Sequence, residues 1–166
     1  MPVFTKLRIC SYAIVAAALI ATMSLSAQTP DPLVGAWKLS LAKSTYSPGP
    51  APKSSTVTFT AAGARVKAVI DGVAGTGEKT HWEYTAQYDG KDYKVTGNPD
   101  GDMISMTRTS ARVTTTINTL AGKKTLTNTR SVSADGRTLT VTNKGTNAKG
   151  ETVSNVQVFE KMVPVP

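Results

Sequence analysis

At 166 residues and a net charge of +8, with 1 cysteine, 1 histidine and 6% aromatic residues, the chain is about one domain long. One histidine and one thiol do not make a transition-metal ligand set, and a lone cysteine cannot pair within its own chain. The basic residues fall singly except for the Lys123-Lys124 doublet, so the charge describes wet strand faces that discourage edge pairing rather than a nucleic-acid footprint.

The first 27 residues carry Lys6 and Arg8 with no acid, then an uncharged run from Tyr12 to Met23, then Ser24-Leu25-Ser26-Ala27. A basic start, a short apolar stretch and a small-residue end are the three regions of a secretory signal peptide. Leu7-Arg8-Ile9 lacks the small residue that a lipoprotein signal places before its cysteine, so Cys10 is expected to leave with the leader. The mature chain, residues 28–166, is then a single domain exported to the periplasm or out of the cell. Without Lys6 and Arg8 its Lys+Arg count falls from 19 to 17 against 11 acids, a net charge of +6. It has no apolar run of the roughly 20 residues a spanning helix needs, so no transmembrane anchor is expected. With no disulfide to constrain the unfolded state, burial and sheet pairing must supply its stability.

From residue 54 onward, apolar and polar residues alternate in runs bounded by Gly, Asn, Asp or Pro, the pattern of half-buried antiparallel strands. With the first strand included, the runs are 33–39, 54–61, 64–72, 79–89, 91–96, 102–109, 111–119, 123–133, 137–145 and 151–161. Of the residues after the leader, 23 are Thr; its branched Cβ suits a pleated surface and its hydroxyl keeps the outer face wet. Asp89-Gly90 and Asp135-Gly136 are two-residue hairpin signals, Gly122 marks another tight connection, and Asn98-Pro99-Asp100-Gly101 is a turn by composition. Sequential hairpins make a meander, and closure removes its bare edges. The expected fold is all-β, an up-and-down antiparallel β-barrel of about 8–10 strands. A Greek-key β-sandwich is the alternative, and it would need longer crossovers than these turns provide.

Between the first two strands, Ser40 to Lys53 holds Pro48, Pro50 and Pro52. Alternating prolines remove backbone donors and favour extended geometry. A connection of about fourteen residues is long, and it is either a lid across a barrel mouth or a strap packed outside.

The folded part opens on Leu33-Val34-Gly35-Ala36-Trp37-Lys38-Leu39. Gly-x-Trp on a first strand resembles the N-terminal signature of the calycins, the lipocalin and fatty-acid-binding-protein barrels, and a ten-strand meander is similar to the fatty-acid-binding layout. The last strand, Val156-Gln157-Val158-Phe159-Glu160-Lys161, resembles that family's closing strand, with Gln157 and Phe159 on the positions of its inward Arg-x-Tyr pair. The proline segment stands where the family carries a helix-turn-helix lid. The resemblance implies a closed barrel around a small-molecule cavity, with Gln157 and Phe159 turned inward.

Apolar parity turns Trp37, Val57, Phe59, Val66, Ile70, Trp82, Tyr84, Tyr88, Tyr93, Val95, Ile104, Met106, Val113, Ile117, Leu126, Val132, Leu139 and Val141 inward. Trp37 is expected to plug the closed end. Arg108, Asn128, Arg130 and Asn143 share the inward parity. A buried guanidinium needs a partner, water or an anionic ligand, unless its head reaches solvent at a rim. His81 and Glu83 share the face opposite Trp82, Tyr84 and Tyr88, which points His81 at water. No Gly-x-Ser-x-Gly elbow is present, Asp100-Gly101-Asp102 lacks the spacing of a calcium loop, and Asp71, Asp89, Asp92 and Asp135 read as turn residues.

These residues describe a binding body rather than an enzyme. The expected ligand is a small, mostly apolar molecule, anionic if Arg130 anchors it. Its candidate contacts are Trp82, Tyr84, Tyr88, Met106, Arg108, Asn128, Arg130, Gln157 and Phe159. No cofactor, metal or nucleic acid is expected, and the protein is expected to be a monomer. The competing function is a filled-core structural or protein-interaction module of the envelope, which a solid interior would indicate.

Overall fold

Ten antiparallel strands follow one another in a computed structural model that describes residues 30–163. The expected signal peptide, residues 1–27, lies outside the described residues. The strands are Gly35–Leu39 (β1), Ser54–Ala62 (β2), Arg65–Val73 (β3), Lys79–Ala86 (β4), Asp89–Thr96 (β5), Met103–Ser110 (β6), Val113–Leu120 (β7), Lys123–Val132 (β8), Thr138–Thr146 (β9) and Thr152–Lys161 (β10). Each pairs with its neighbours in sequence, and β1 pairs with both β2 and β10, so the sheet closes into a barrel. Closure rules out the sandwich and leaves no edge strand to aggregate. The ladder is thinnest between β4 and β5, where the register is carried by Glu83↔Thr96 and Tyr84↔Val95.

Two local expectations change. Asp89-Gly90 is no hairpin turn: both residues belong to β5, where the register shifts between Asp89 and Asp92, and the chain reverses just before them. A positive-φ glycine serves a β-bulge as well as a turn, and here the bulge takes it. On β7 the inward parity is inverted. Val113 and Ile117 face outward and are half-buried, while Thr114, Thr116 and Asn118 are buried inside. Their cross-strand partners explain this, since Thr114 lies beside Arg130 and Thr116 beside Asn128. A polar inner surface on β8 selects the polar face of its neighbour.

The core fills the end of the barrel where β1 begins. Trp37 is 0% exposed, its indole N–H donates to the Leu33 carbonyl at 2.9 Å, and the Lys161 ammonium stands 5.0 Å from its ring centroid. The backbone explains the glycine of Gly-x-Trp: Gly35 has φ +136°, where an L side chain is strained, while the Lys161 Cε that a Cβ would meet at 2.8 Å is the end of a flexible side chain and can move aside.

Candidate functional site

The strand ends after β1, β3, β5 and β9 rim the open mouth, and below it lies a cavity of about 730 Å³. That volume is in the range of small-molecule pockets. Its two walls differ in chemistry because the rows of inward residues differ. Across β2, β3 and β4, Val57↔Ile70↔Trp82 forms one row, with Phe59 below it. Across β7, β8, β9 and β10, the corresponding row is Thr116↔Asn128↔Asn143↔Asn155, followed by Arg130↔Val141↔Gln157. Phe159 and Leu139, paired across β10 and β9, also line the cavity.

The prolines complete the mouth. Residues 40–47 follow β10: Thr45 and Val156 exchange two backbone hydrogen bonds, and the Ser154 amide donates to the Ser47 carbonyl at 2.7 Å. The chain then crosses to the β3–β4 turn, where a Cβ on Gly75 would sit 2.6 Å from Pro50 Cγ. The Lys53 amide closes the crossing by donating to the Val73 carbonyl at 2.8 Å. Pro48, Gly49, Pro50 and Pro52 face the cavity, so the segment is a strap along β10 in its first half and a cover over the mouth in its second.

Of the residues expected at a site, Trp82, Asn128, Arg130, Gln157 and Phe159 line this cavity. Tyr84, Tyr88, Met106 and Arg108 do not. They lie further toward the closed end, with Tyr84 at 3% and Met106 at 0% exposure. Arg108 and Tyr88 are engaged by a residue that no strand pattern marked. Asp31 Oδ2 accepts from Arg108 Nη2 at 2.6 Å and from the Tyr88 hydroxyl at 2.6 Å, while its Oδ1 accepts from the Leu33 amide at 3.0 Å. The Arg108 guanidinium also stands over the Tyr88 ring, 4.1 Å from its centroid. Burial would raise the Asp31 pKa, but the hydrogen bonds from Tyr88, Arg108 and Leu33 outweigh it and hold the carboxyl below its ordinary 3.8. Burial and the adjacent carboxylate push the Tyr88 phenol well up, so it remains a donor. This cluster fastens residues 31–33 across the closed end.

Arg130 is placed differently. It is 5% exposed, its Nη1 donates to Thr116 Oγ1 at 3.0 Å, and its guanidinium lies 5.8 Å from the Phe59 ring on the opposite wall. None of the ion pairs among the described residues involves it. The buried side-chain atoms without a hydrogen-bond partner among the described residues are Thr114 Oγ1, Asn118 Oδ1, Asn128 Oδ1 and the Tyr84 hydroxyl; Thr114 is the cross-strand partner of Arg130, and Asn128 lies two residues before it on β8. Each such atom costs about 1–3 kcal/mol when nothing answers it. Other polar groups of the wall are paired. Asn143 Nδ2 donates to Gln157 Oε1 at 3.0 Å, and Gln157 Nε2 reaches the Tyr46 hydroxyl at 3.5 Å. Parity missed Tyr46, which stands on the strap outside any strand, and Asn118, which was assigned to the wrong face.

His81 lies on the outer face of β4, where its Nδ1 is 2.7 Å from Asp71 Oδ1 with both side chains exposed. Among the described residues no three His, Cys, Asp or Glu side chains converge as metal ligands would.

The closed ten-strand meander is the layout of the calycin barrels. Among solved structures the chain is similar to the zebrafish ileal bile acid-binding protein complexed with cholic acid. The match has 10% identity and a TM-score of 0.45 over 79% of this chain and 99% of that one. No protein-family model matches the chain, and no curated protein does.

Proposed function

We propose that the chain is an exported, non-catalytic barrel that binds a small, mostly apolar anion in its interior. The observation that carries this reading is Arg130: a buried guanidinium on a cavity wall, with a hydroxyl as its partner and no carboxylate. A guanidinium in that position is costly unless an anion answers it, and its planar fork suits a carboxylate, sulfonate or phosphate. The cavity supports binding over the filled-core alternative, because a structural module has no use for about 730 Å³ of lined interior space. A binding role is favoured over catalysis by the residue set, since the one histidine of the sequence stands at the cavity mouth with an exposed side chain 2.7 Å from Asp71 Oδ1. Export rests on the three regions of residues 1–27.

Anilinonaphthalene sulfonate, an apolar anion that brightens on leaving water, tests the reading. It should bind the unaltered barrel one to one and bind Arg130→Met roughly ten- to a hundredfold more weakly, the worth of a charge-assisted hydrogen bond. Circular dichroism checks that the variant keeps its sheet. Equal affinity for both proteins would contradict the assignment.

A further inference from the structure

We infer that the outer face of β7–β10 is an interface on which two copies of this chain pair about a two-fold axis. The observation that carries it is a division of the barrel's outside, which the ligand site does not use. Across β3–β5 the outward positions carry charge, at Lys67, Asp71, Lys79, His81, Glu83 and Lys94, with Lys67 paired to Glu83 at 2.8 Å and His81 to Asp71 at 2.7 Å. Across β6–β10 they do not. One cross-strand row reads Thr107, Thr115, Thr129, Thr142, Val156 and, on the strap, Thr45. The rows beside it run from Ser105 to Ser154 and from Val113 to Val158, and in the three rows Lys144 is the one charged residue. Val156 is 37% exposed, and Leu41, in the helical turn packed beside β10, is 44% exposed. Two large apolar side chains left in water thus lie at one edge of this face.

A second copy is the occupant that the charges favour. A chain with 19 basic and 11 acidic residues repels its own copy over most of its surface, and the uncharged face is where two copies meet without opposing like charges. A charged foreign partner would find only Lys144 to hold there. Closure leaves no edge strand for the copies to share, so they must meet side chain against side chain. A two-fold interface has to complement itself, and a surface of methyls and hydroxyls has no sign to clash. Each threonine hydroxyl both donates and accepts, so it can answer its own kind. Strands about 4.8 Å apart and alternate residues about 6.7 Å apart give six columns and three rows a footprint of roughly 500 Å² with side chains included. Two copies would bury about 1,000 Å², the lower limit of a specific interface. The pairing is therefore weak and concentration-dependent, with Thr129 and Thr142 at its centre.

Sedimentation equilibrium between about 10 μM and about 1 mM protein covers the range in which such an interface assembles. The mass should rise from one chain toward two and stop there, and added salt should favour pairing, because it screens the charge that both copies carry. Thr129→Lys sets a charge at the centre of both faces and should weaken association at least tenfold, while Thr60→Lys, at an exposed position on β2, should pair as the unaltered protein does. Amide chemical shifts of the unaltered protein should move with concentration on β7–β10 and stay fixed on β2–β5, and they carry the test alone if Thr129→Lys loses its sheet. A single-chain mass at every concentration overturns the interface, as does growth beyond two chains or pairing that salt weakens. So does pairing that survives Thr129→Lys, pairing lost equally in Thr60→Lys, or shifts that move on β2–β5.

Discussion

Arg108 and Arg130 both turn into the barrel, one at the closed end and one on the cavity wall, and the chain treats their charges differently. Arg108 has the Asp31 carboxylate, the Ala111 carbonyl and the face of Tyr88. Arg130 has one hydroxyl, with the unpartnered Thr114 Oγ1 on its cross-strand neighbour and no carboxylate. At the closed end Arg108 is satisfied from within, by a carboxylate recruited from outside the strands. The cavity wall leaves acceptors and a positive charge unanswered, at a cost in stability. The chain supplies a carboxylate to one inward arginine and none to the other, and the proposed anion site rests on that difference.

The largest expected effect lies at the closed end. Trp37→Ala removes a side chain that is 0% exposed and should cost about 3–5 kcal/mol, read as a lower urea midpoint. Asp31→Asn comes next. Its carboxylate is 18% exposed and Arg108 is 27% exposed, so removing the charge should cost about 2 kcal/mol. The same pair predicts an acid limb. Because the folded Asp31 pKa is depressed, its contribution is fully present above its unfolded value and is lost as pH falls through the folded one. Urea midpoints taken between about pH 5 and pH 2 should therefore converge for Asp31→Asn and the unaltered protein. Exposed carboxylates with lowered pKa values, such as Asp89 and Asp135, act in both proteins and cancel in the difference. Parallel curves would mean that Asp31 does not close the barrel through its charge.

Arg130→Met should behave in the opposite way. With no ligand present it should leave stability unchanged or raise it by about 1 kcal/mol, because it replaces an unanswered charge with a side chain of similar length, while anion affinity falls. A destabilisation as large as that of Asp31→Asn would make the two arginines equivalent and undo the comparison. The smallest effect is expected on the outer face. His81→Gln breaks an exposed pair with Asp71 and should change stability by less than about 0.5 kcal/mol, with sulfonate binding unaltered. A loss of binding there would bring the mouth-side surface of β4 into the site.

The strands were legible because alternation and turn residues are local signals, and each of the ten runs covers most of one strand of the barrel, the run 79–89 also taking in Asp89, where β5 begins. Facing was legible where one parity was clearly apolar, as on β2, β4 and β8. On β7 it was not. Thr114, Thr115 and Thr116 occupy both parities, and only their pairing with Asn128 and Arg130 decides which of them turns in. Depth was the other gap. Tyr84, Tyr88, Met106 and Arg108 sit on the inward face as expected but below the cavity, because position along the barrel axis follows from strand tilt and stagger rather than from parity. Asp31 and Tyr46 lie outside the strands, where periodicity says nothing.

The account rests most heavily on the unanswered charge of Arg130, and native mass spectrometry of the protein purified from its own host tests that most directly. The unaltered barrel should carry a bound acid of small-molecule mass, and Arg130→Met, purified in the same way and equally folded, should emerge without it. The same bound mass on both proteins, or a bare barrel in both, would contradict the claim.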